Sequence, residues 1–283
     1  MKIAAFELNG RQAIGRVESD EVVILREGNA GEALLSLIEG TASAKSDAER
    51  VPLASVQLLP PVVSRRSTVI CVGKNYHAHA KEFFGSGFDS SAKEEVPSQA
   101  VIFAKAGSSL VGEGDDVRAS LDPTATVDYE GELAIVIGKA AHRVSRENAF
   151  DVIFGYTICN DVTSRELQKR HNQWLVGKSL DTFGPLGPWI VTADEIGDVA
   201  EMELVTSING EVRQKAKVAD LIFDIPTLIE TLTATMTLQP GDIIATGTPA
   251  GVGIGFQPPK YLKPGDLMEV SISGIGTLTN PVV

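Results

Sequence analysis

Apolar and polar positions alternate along much of this chain, and the pattern predicts strands more often than helices. MKIAAFEL and QAIGRVE flank Asn9-Gly10, a residue pair suited to a tight hairpin turn, and EVVILRE adds a third short strand. Residues 31–49, which begin GEALLSLIE, carry a helical pattern. VPLASVQLLPPVV then runs into Pro60-Pro61, which marks a boundary. The pattern therefore predicts a small N-terminal α/β domain over residues 1–62 and a larger domain over residues 63–283.

The larger part reads as strands at STVICVG, QAVIFAK, GELAIVIG, VIFGYTICN, PWIVT, MELVTSING, DIIATG and LMEVSISG. Helices are predicted at Asn75 to Phe84, Ser145 to Val152, Val162 to Arg170 and Ile225 to Thr235. Pro-Gly-Asp occurs at 240–242 and 264–266, each time just before a strand, as turn chemistry would place it. Many strands, few helices and no regular βαβ alternation predict an α+β, β-rich fold and argue against a doubly wound sheet. The polar stretch GSGFDSSAKEEVPS, residues 85–98, reads either as a surface loop or as a lid.

Composition narrows the function classes. The chain has 283 residues and a formal net charge of -12, which argues against nucleic acid or an anionic membrane as the main partner. An anionic small substrate stays open, because a bound cation can reverse the local field. The N-terminus turns polar within eight residues, unlike a secretory signal, and no apolar run approaches the ~20 residues of a membrane span. Cys71 and Cys159 sit in apolar strand-like runs without metal-type spacing and read as reduced, buried thiols. Together these features predict a cytoplasmic protein.

Candidate chemistry centres on VDYEGELAIVIG. Glu130 and Glu132 lie two apart on a strand, so they project from one face with Cα atoms roughly 6.5 to 7 Å apart. Tyr129, Leu133, Ile135 and Ile137 are assigned to the other face. Gly131 between the acids permits a close approach by another group. Two carboxylates in a partly buried site repel, and a hard divalent cation with oxygen ligands resolves that. An E-x-E pair alone fits an ordinary solvent-facing strand better than a metal site. Asp161 follows an apolar strand at the predicted start of a helix, where it is either a helix cap or a third ligand. Arg165 and Gln168, three apart on that helix, share a face that suits a substrate carboxylate and carbonyl. His79 and Glu82 share a helix face, an arrangement that makes a general base or a surface ion pair. His77, His142 and His171 receive no role.

Taken together, these segments resemble the fumarylacetoacetate hydrolase family. The resemblance covers residues 65–283. It rests on VGKNYHAHAKE, YEGELAIVIG, GYTICNDVTSRELQ, QWLVGKSLDTFGPLGP, SINGEVRQ and PGDIIATGTPAGVG in this order. The long QWLVGKSLDTFGPLGP match and the FQPPKYLKPGD ending are most similar to shorter members of the 2-hydroxyhepta-2,4-diene-1,7-dioate isomerase group. The resemblance implies a mixed β-roll or β-sandwich core and a homodimer. It implies Mg²⁺ or Mn²⁺ on Glu130, Glu132 and Asp161, a His79–Glu82 dyad, and a lid after the helix that carries Glu82. It further implies Lys178 as an active-site lysine and Arg165, Gln168 and Thr248 as substrate contacts. The GTPAGVG loop lacks the ending of a phosphate-binding P-loop. No residue here is assigned to the fourth acidic ligand of the longer family members.

The expected reaction is hydrolysis of a carbon–carbon bond in an acylpyruvate or other 2,4-diketo acid, with pyruvate leaving as its enolate. Decarboxylation or keto–enol exchange of oxaloacetate passes through a closely related species and is the alternative. A metal-binding protein without turnover is a third reading. Removing the Glu130 carboxylate is expected to abolish metal-dependent activity in a folded protein.

Overall fold

A computed structural model shows the chain as a strand-rich α+β protein and describes residues 1–41, 49–64, 67–88 and 94–283. The N-terminal hairpin forms where the pattern asks for it. Strand β1 (Lys2–Leu8) pairs antiparallel with β2 (Arg11–Glu18), and Asn9 and Gly10 turn between them with φ of 51° and 76°. Strand β3 (Glu21–Glu27) continues the meander, followed by helix α1 (Ala30–Ile38), capped by the Asn29 side chain. The predicted helix over 31–49 thus ends at Ile38, and residues 42–48 lie outside the described residues. Strands β4 (Arg50–Pro52) and β5 (Gln57–Leu59) complete this part.

Next come β6 (Val69–Gly73), α2 (His77–Gly85), β7 (Val101–Lys105), β8 (Leu110–Val111) and β9 (Val127–Asp128). The centre of the chain holds β10 (Gly131–Ile137), β11 (Ile153–Asn160), β12 (Thr163–Ser164), α3 (Arg165–Arg170), α4 (Leu175–Lys178) and β13 (Gly184–Thr192). The last third adds β14 (Glu203–Ile208), β15 (Glu211–Lys217), α5 (Ile225–Thr233), β16 (Ile243–Ala245), β17 (Leu267–Ile272) and β18 (Gly276–Pro281).

One large sheet runs β4-β3-β2-β1-β13-β11-β10-β16-β6-β7, with β5 also on β1 and β8 on β13. The N-terminal strands therefore continue the same sheet as the rest, through the antiparallel rungs Lys2↔Val191 and Ile3↔Ile190. A second sheet, β15-β14-β17-β18, packs across the first. Leu133, Ile135 and Ile137 enter the core between them with Leu204, Val270 and Ile272. The opposite face buries Ala134, Val136, Cys159 and Ile190 against α1 and the N-terminal strands. Burial on both faces explains why β10 is apolar almost throughout.

Three local expectations change. Tyr129 packs with Val127, Val162 and Phe183, not with Leu133, Ile135 and Ile137, because it lies before β10 begins. The helix expected over Ser145–Val152 is a 3₁₀ segment, Arg146–Val152. The helix expected from Val162 starts at Arg165, because Thr163 and Ser164 stay extended to pair with β9. Both Pro-Gly-Asp triplets are turns, in which Asp242 and Asp266 accept N–H bonds from Gln239 and Lys263. Cys71 and Cys159 are buried free thiols. Among the described residues no helix is long and apolar enough to cross a membrane.

Candidate active site

The register of β10 against β11 brings three acids together. Gly131 faces Asn160 and Glu132 faces Cys159, so Glu130 and Asp161 sit side by side just past the last rung. The Asp161 N–H donates to the Glu130 carbonyl at 2.8 Å, and the Glu130 N–H donates to Asn160 Oδ1 at 3.0 Å. Asp161 is not a helix cap; that position is Ser164. One carboxylate oxygen from each of Glu130, Glu132 and Asp161 lies within 4.8 Å of the others, and all three residues are buried. Gly131 leaves room for the second sheet: a Cβ there would lie 2.3 Å from Thr206 Oγ1 and 2.9 Å from Val270.

Cations surround two of the acids. Lys178 Nζ donates to Glu130 Oε2 at 2.6 Å and to Asp161 Oδ2 at 2.7 Å. Arg165 reaches Glu130 Oε1 at 2.6 Å and Asp128 Oδ2 at 2.9 Å, and donates to Gln168 Oε1 at 3.2 Å. Lys105 Nζ lies 2.8 Å from Asp161 Oδ1 and donates to the carbonyls of Val162 and Lys178. Burial pushes the Glu130 carboxyl up, but Lys178 and Arg165 outweigh it and hold that group below its ordinary range. Glu132 differs: its Oε2 accepts the Gly247 N–H at 2.9 Å, and burial, Asp161 and Glu130 push its carboxyl well up. A divalent cation would relieve that repulsion, so the three-carboxylate set fits a hard, oxygen-seeking metal.

The imidazole stands nearby. His79 Nδ1 lies 3.2 Å from Glu82 Oε2, and His79 stacks on Phe83 with ring centroids 5.9 Å apart. His79 is buried, so the pair is not a surface ion pair. Glu82 is steadied by the Gly251 N–H at 3.1 Å. The same loop donates Gly253 and Ile254 N–H groups to Asp128, at 2.6 and 3.0 Å. The glycine-rich loop thus cradles the carboxylates of Glu82, Asp128 and Glu132 where a P-loop would cradle phosphate.

One narrow pocket joins these groups. His79, Glu130, Glu132, Arg165, Gln168, Lys178 and Thr248 all line it, so seven of the nine candidate residues share one wall. Glu82 sits behind His79, and Asp161 beneath Lys178. Thr248 is fixed by Gln214, whose Nε2 donates to its Oγ1 at 2.7 Å. Phe83, Phe103 and Trp174 form an aromatic side, with Trp174 5.1 Å from Phe103 and 5.8 Å from Phe83 between centroids. His77, His142 and His171 are exposed. Of the stretch 85–98, residues 89–93 lie outside the described residues.

Sequence reasoning passed over Asp128, Lys105 and Lys74. Asp128 stands two residues before Glu130, so the alternation that marked the pair extends to it. Lys105 ends the apolar strand VIFAK, the same strand-end placement that singled out Asp161. Asp128 is committed to Arg165 and to three backbone N–H groups, those of Tyr129, Gly253 and Ile254.

Buried acids held at strand ends beside a His–Glu pair, on a two-sheet core, define the class, and the sequence profile described as fumarylacetoacetate (FAA) hydrolase C-terminal matches residues 68–283. The chain belongs to the fumarylacetoacetate hydrolase family. Residues 1–61 match a second profile, Rv2993c-like, N-terminal. Oxaloacetate tautomerase YisK of Bacillus subtilis is 47% identical over 230 residues, which is 81% of this chain and 74% of that protein. A fumarylacetoacetate hydrolase from Exiguobacterium antarcticum is 43% identical, with a TM-score of 0.85 over 100% of this chain and 99% of the other. Maleylpyruvate hydrolase from Sphingobium sp. SYK-6, solved with manganese(II) and pyruvate, is 33% identical, with a TM-score of 0.79 over 100% and 99%.

Proposed function

We propose that this protein is a metal-dependent enzyme that interconverts the keto and enol forms of oxaloacetate. The observation that carries this reading is a buried imidazole, His79, lining the same pocket as Glu130 and Glu132, two of the three clustered carboxylates. Keto–enol exchange needs one group to move a proton and one positive centre at the keto oxygen. The 47% identity to an oxaloacetate tautomerase supports the same reaction.

Glu130, Glu132 and Asp161 would hold Mg²⁺ or Mn²⁺, which supplies Lewis acidity at the keto oxygen when bound. Arg165, Gln168 and Thr248 orient the substrate along the pocket wall. With Nδ1 turned to Glu82, His79 takes the C3 proton at Nε2, and a proton is returned at the oxygen; the reverse path regenerates the ketone. Glu82 steadies the imidazolium formed in between. Lys178 compensates negative charge that gathers at the oxygen. Phe83, Phe103 and Trp174 keep bulk water from that charge. The reading also takes the protein to be a cytoplasmic homodimer in which residues 1–62 form the smaller domain.

The test is to add purified protein with Mg²⁺ or Mn²⁺ to each oxaloacetate tautomer and follow the enol absorbance. Faster equilibration from both sides, lost in His79→Ala, is expected. Equilibration at the uncatalysed rate would refute the reading, and carbon dioxide release would replace it with decarboxylation. A second reading, hydrolysis of an acylpyruvate with His79 deprotonating water, is favoured by the similarity to maleylpyruvate hydrolase. It requires pyruvate and a carboxylic acid in equal amounts from an acylpyruvate panel.

A further inference from the structure

Gln214, on β15, is fully buried and stands behind Thr248. Its amide meets three groups. Oε1 accepts the Gly131 N–H at 3.1 Å, and Nε2 donates to the Pro249 carbonyl and to Thr248 Oγ1, each at 2.7 Å. A peptide N–H can only donate and a peptide carbonyl can only accept, so this amide can face only one way. Its two protons are then both committed, one to Pro249 and one to Thr248. A hydroxyl can serve as donor or acceptor, and Gln214 makes that of Thr248 an acceptor on its inner side. The single Thr248 proton must point elsewhere, and among the described residues no group accepts it. Thr248 lines the pocket with Glu130, Arg165 and Gln168, so the proton is left for a bound molecule.

We propose that Gln214 is a positioning residue, which turns the Thr248 hydroxyl into a fixed donor toward the substrate. The pocket then takes a carboxylate or carbonyl oxygen against Thr248 and rejects an N–H or O–H group there. The inference rests on the reading that a 2-oxo acid occupies this pocket. A donor held in place beforehand needs no reordering when the anion arrives. The same amide ties Gly131, between Glu130 and Glu132, to the chain at Thr248 and Pro249. Gln214→Glu tests the polarity with little change of shape. Its carboxyl keeps the bond from Gly131 but carries at most one proton. Pro249 can only accept whereas Thr248 can donate, so any proton goes to Pro249 and the Thr248 hydroxyl turns inward.

The experiment titrates pyruvate calorimetrically into Mn²⁺-loaded wild type, Gln214→Glu, Thr248→Val and the double variant. Each single change is expected to weaken pyruvate by about tenfold or more, the worth of one hydrogen bond to a charged group. The double variant should bind no more weakly than Thr248→Val, because Gln214 acts through the hydroxyl that Val lacks. A residue that merely held the fold would weaken both backgrounds alike. Additive losses therefore overturn the proposal, as does wild-type affinity in Gln214→Glu or failure of pyruvate to bind wild type. Gln214→Met, uncharged and of similar length, frees the hydroxyl to turn either way. Its loss should be smaller than in Gln214→Glu and again absent beside Thr248→Val, and it decides the matter if melting shows Gln214→Glu unfolded. Coupled losses in a wild type that does not tautomerise oxaloacetate would refute the reaction proposed above and support the role of Gln214.

Discussion

Glu130 and Glu132 are separated by one glycine but meet opposite surroundings. Glu130 faces Lys178 and Arg165, so Glu130→Ala would take one of two carboxylate partners from each of two buried cations and cost about 3–5 kcal/mol. Loss of activity in that variant would not separate lost chemistry from lost fold. Glu132→Gln is the cleaner change. The Glu132 carboxyl is pushed up in the folded protein, so at neutral pH its charge works against the fold and a neutral amide removes that penalty. Without metal, Glu132→Gln should melt at or above the wild-type temperature. Excess Mn²⁺ should raise the wild-type melting temperature, by about 2.7 kcal/mol of stability at a hundredfold excess over Kd, and leave the variant unmoved. Equal Mn²⁺ stabilisation of both would remove Glu132 from the ligand set. Lys105→Met should act oppositely and cost about 3–5 kcal/mol in urea unfolding, because it leaves Asp161 Oδ1 and two buried carbonyls without an ammonium while Lys178 keeps only Asp161 Oδ2.

At the scale of elements, the loop after β16 governs α2. A Cβ at Gly255 would fall 1.9 Å from Glu82 Oε1, the end of a flexible side chain and not backbone. Gly255→Ala should therefore displace Glu82 and cut kcat tenfold or more while stability changes by only about 1 kcal/mol. Paired turnover and unfolding measurements test this, and wild-type kcat would mean that Glu82 does not support His79. Helix α5 carries a pH-dependent cap. Burial pushes Asp224 up, but Arg146 and Thr227 outweigh it and hold the carboxyl below its ordinary range. That contribution is present above the ordinary aspartate range and fades as pH falls through the lowered value. Wild type should thus exceed Asp224→Ala by about 1 kcal/mol at pH 7, and the gap should narrow as the solution is acidified below pH 4.

Most elements and the three acids were legible in the sequence, because strand alternation and strand-end placement are local patterns. Asn9-Gly10, the E-x-E spacing and the Pro-Gly-Asp turns each carry their own geometry. The extended Thr163 and Ser164 were not legible, since their partner β9 lies far off in sequence. Nor were the loop's N–H groups on Glu82, Asp128 and Glu132, because a backbone amide leaves no trace in residue type. The burial of Arg165 and His79 also depends on what packs over them, which helix spacing does not report.

For the whole molecule, the decisive feature is that the N-terminal strands and the strands bearing the acids form one sheet. Ile3, Ile14 and Leu34 share a core with Leu186, Ile190 and Cys71. A chain lacking residues 1–61 should expose that core and the free rungs of β13, and light scattering should show it aggregating. A monodisperse, folded truncation would show that the two parts fold independently. The rung Lys2↔Val191 also sets an order of events during synthesis. At ribosomal speed its second half emerges roughly ten to forty seconds after the first. During that wait β5 already covers Ala5 to Glu7 on the same edge, leaving Lys2 and Ile3 as the rungs still to be made. The nascent N-terminal part therefore shields most of its own sticky edge, and the seam to β13 closes late, when nearly two hundred residues have emerged.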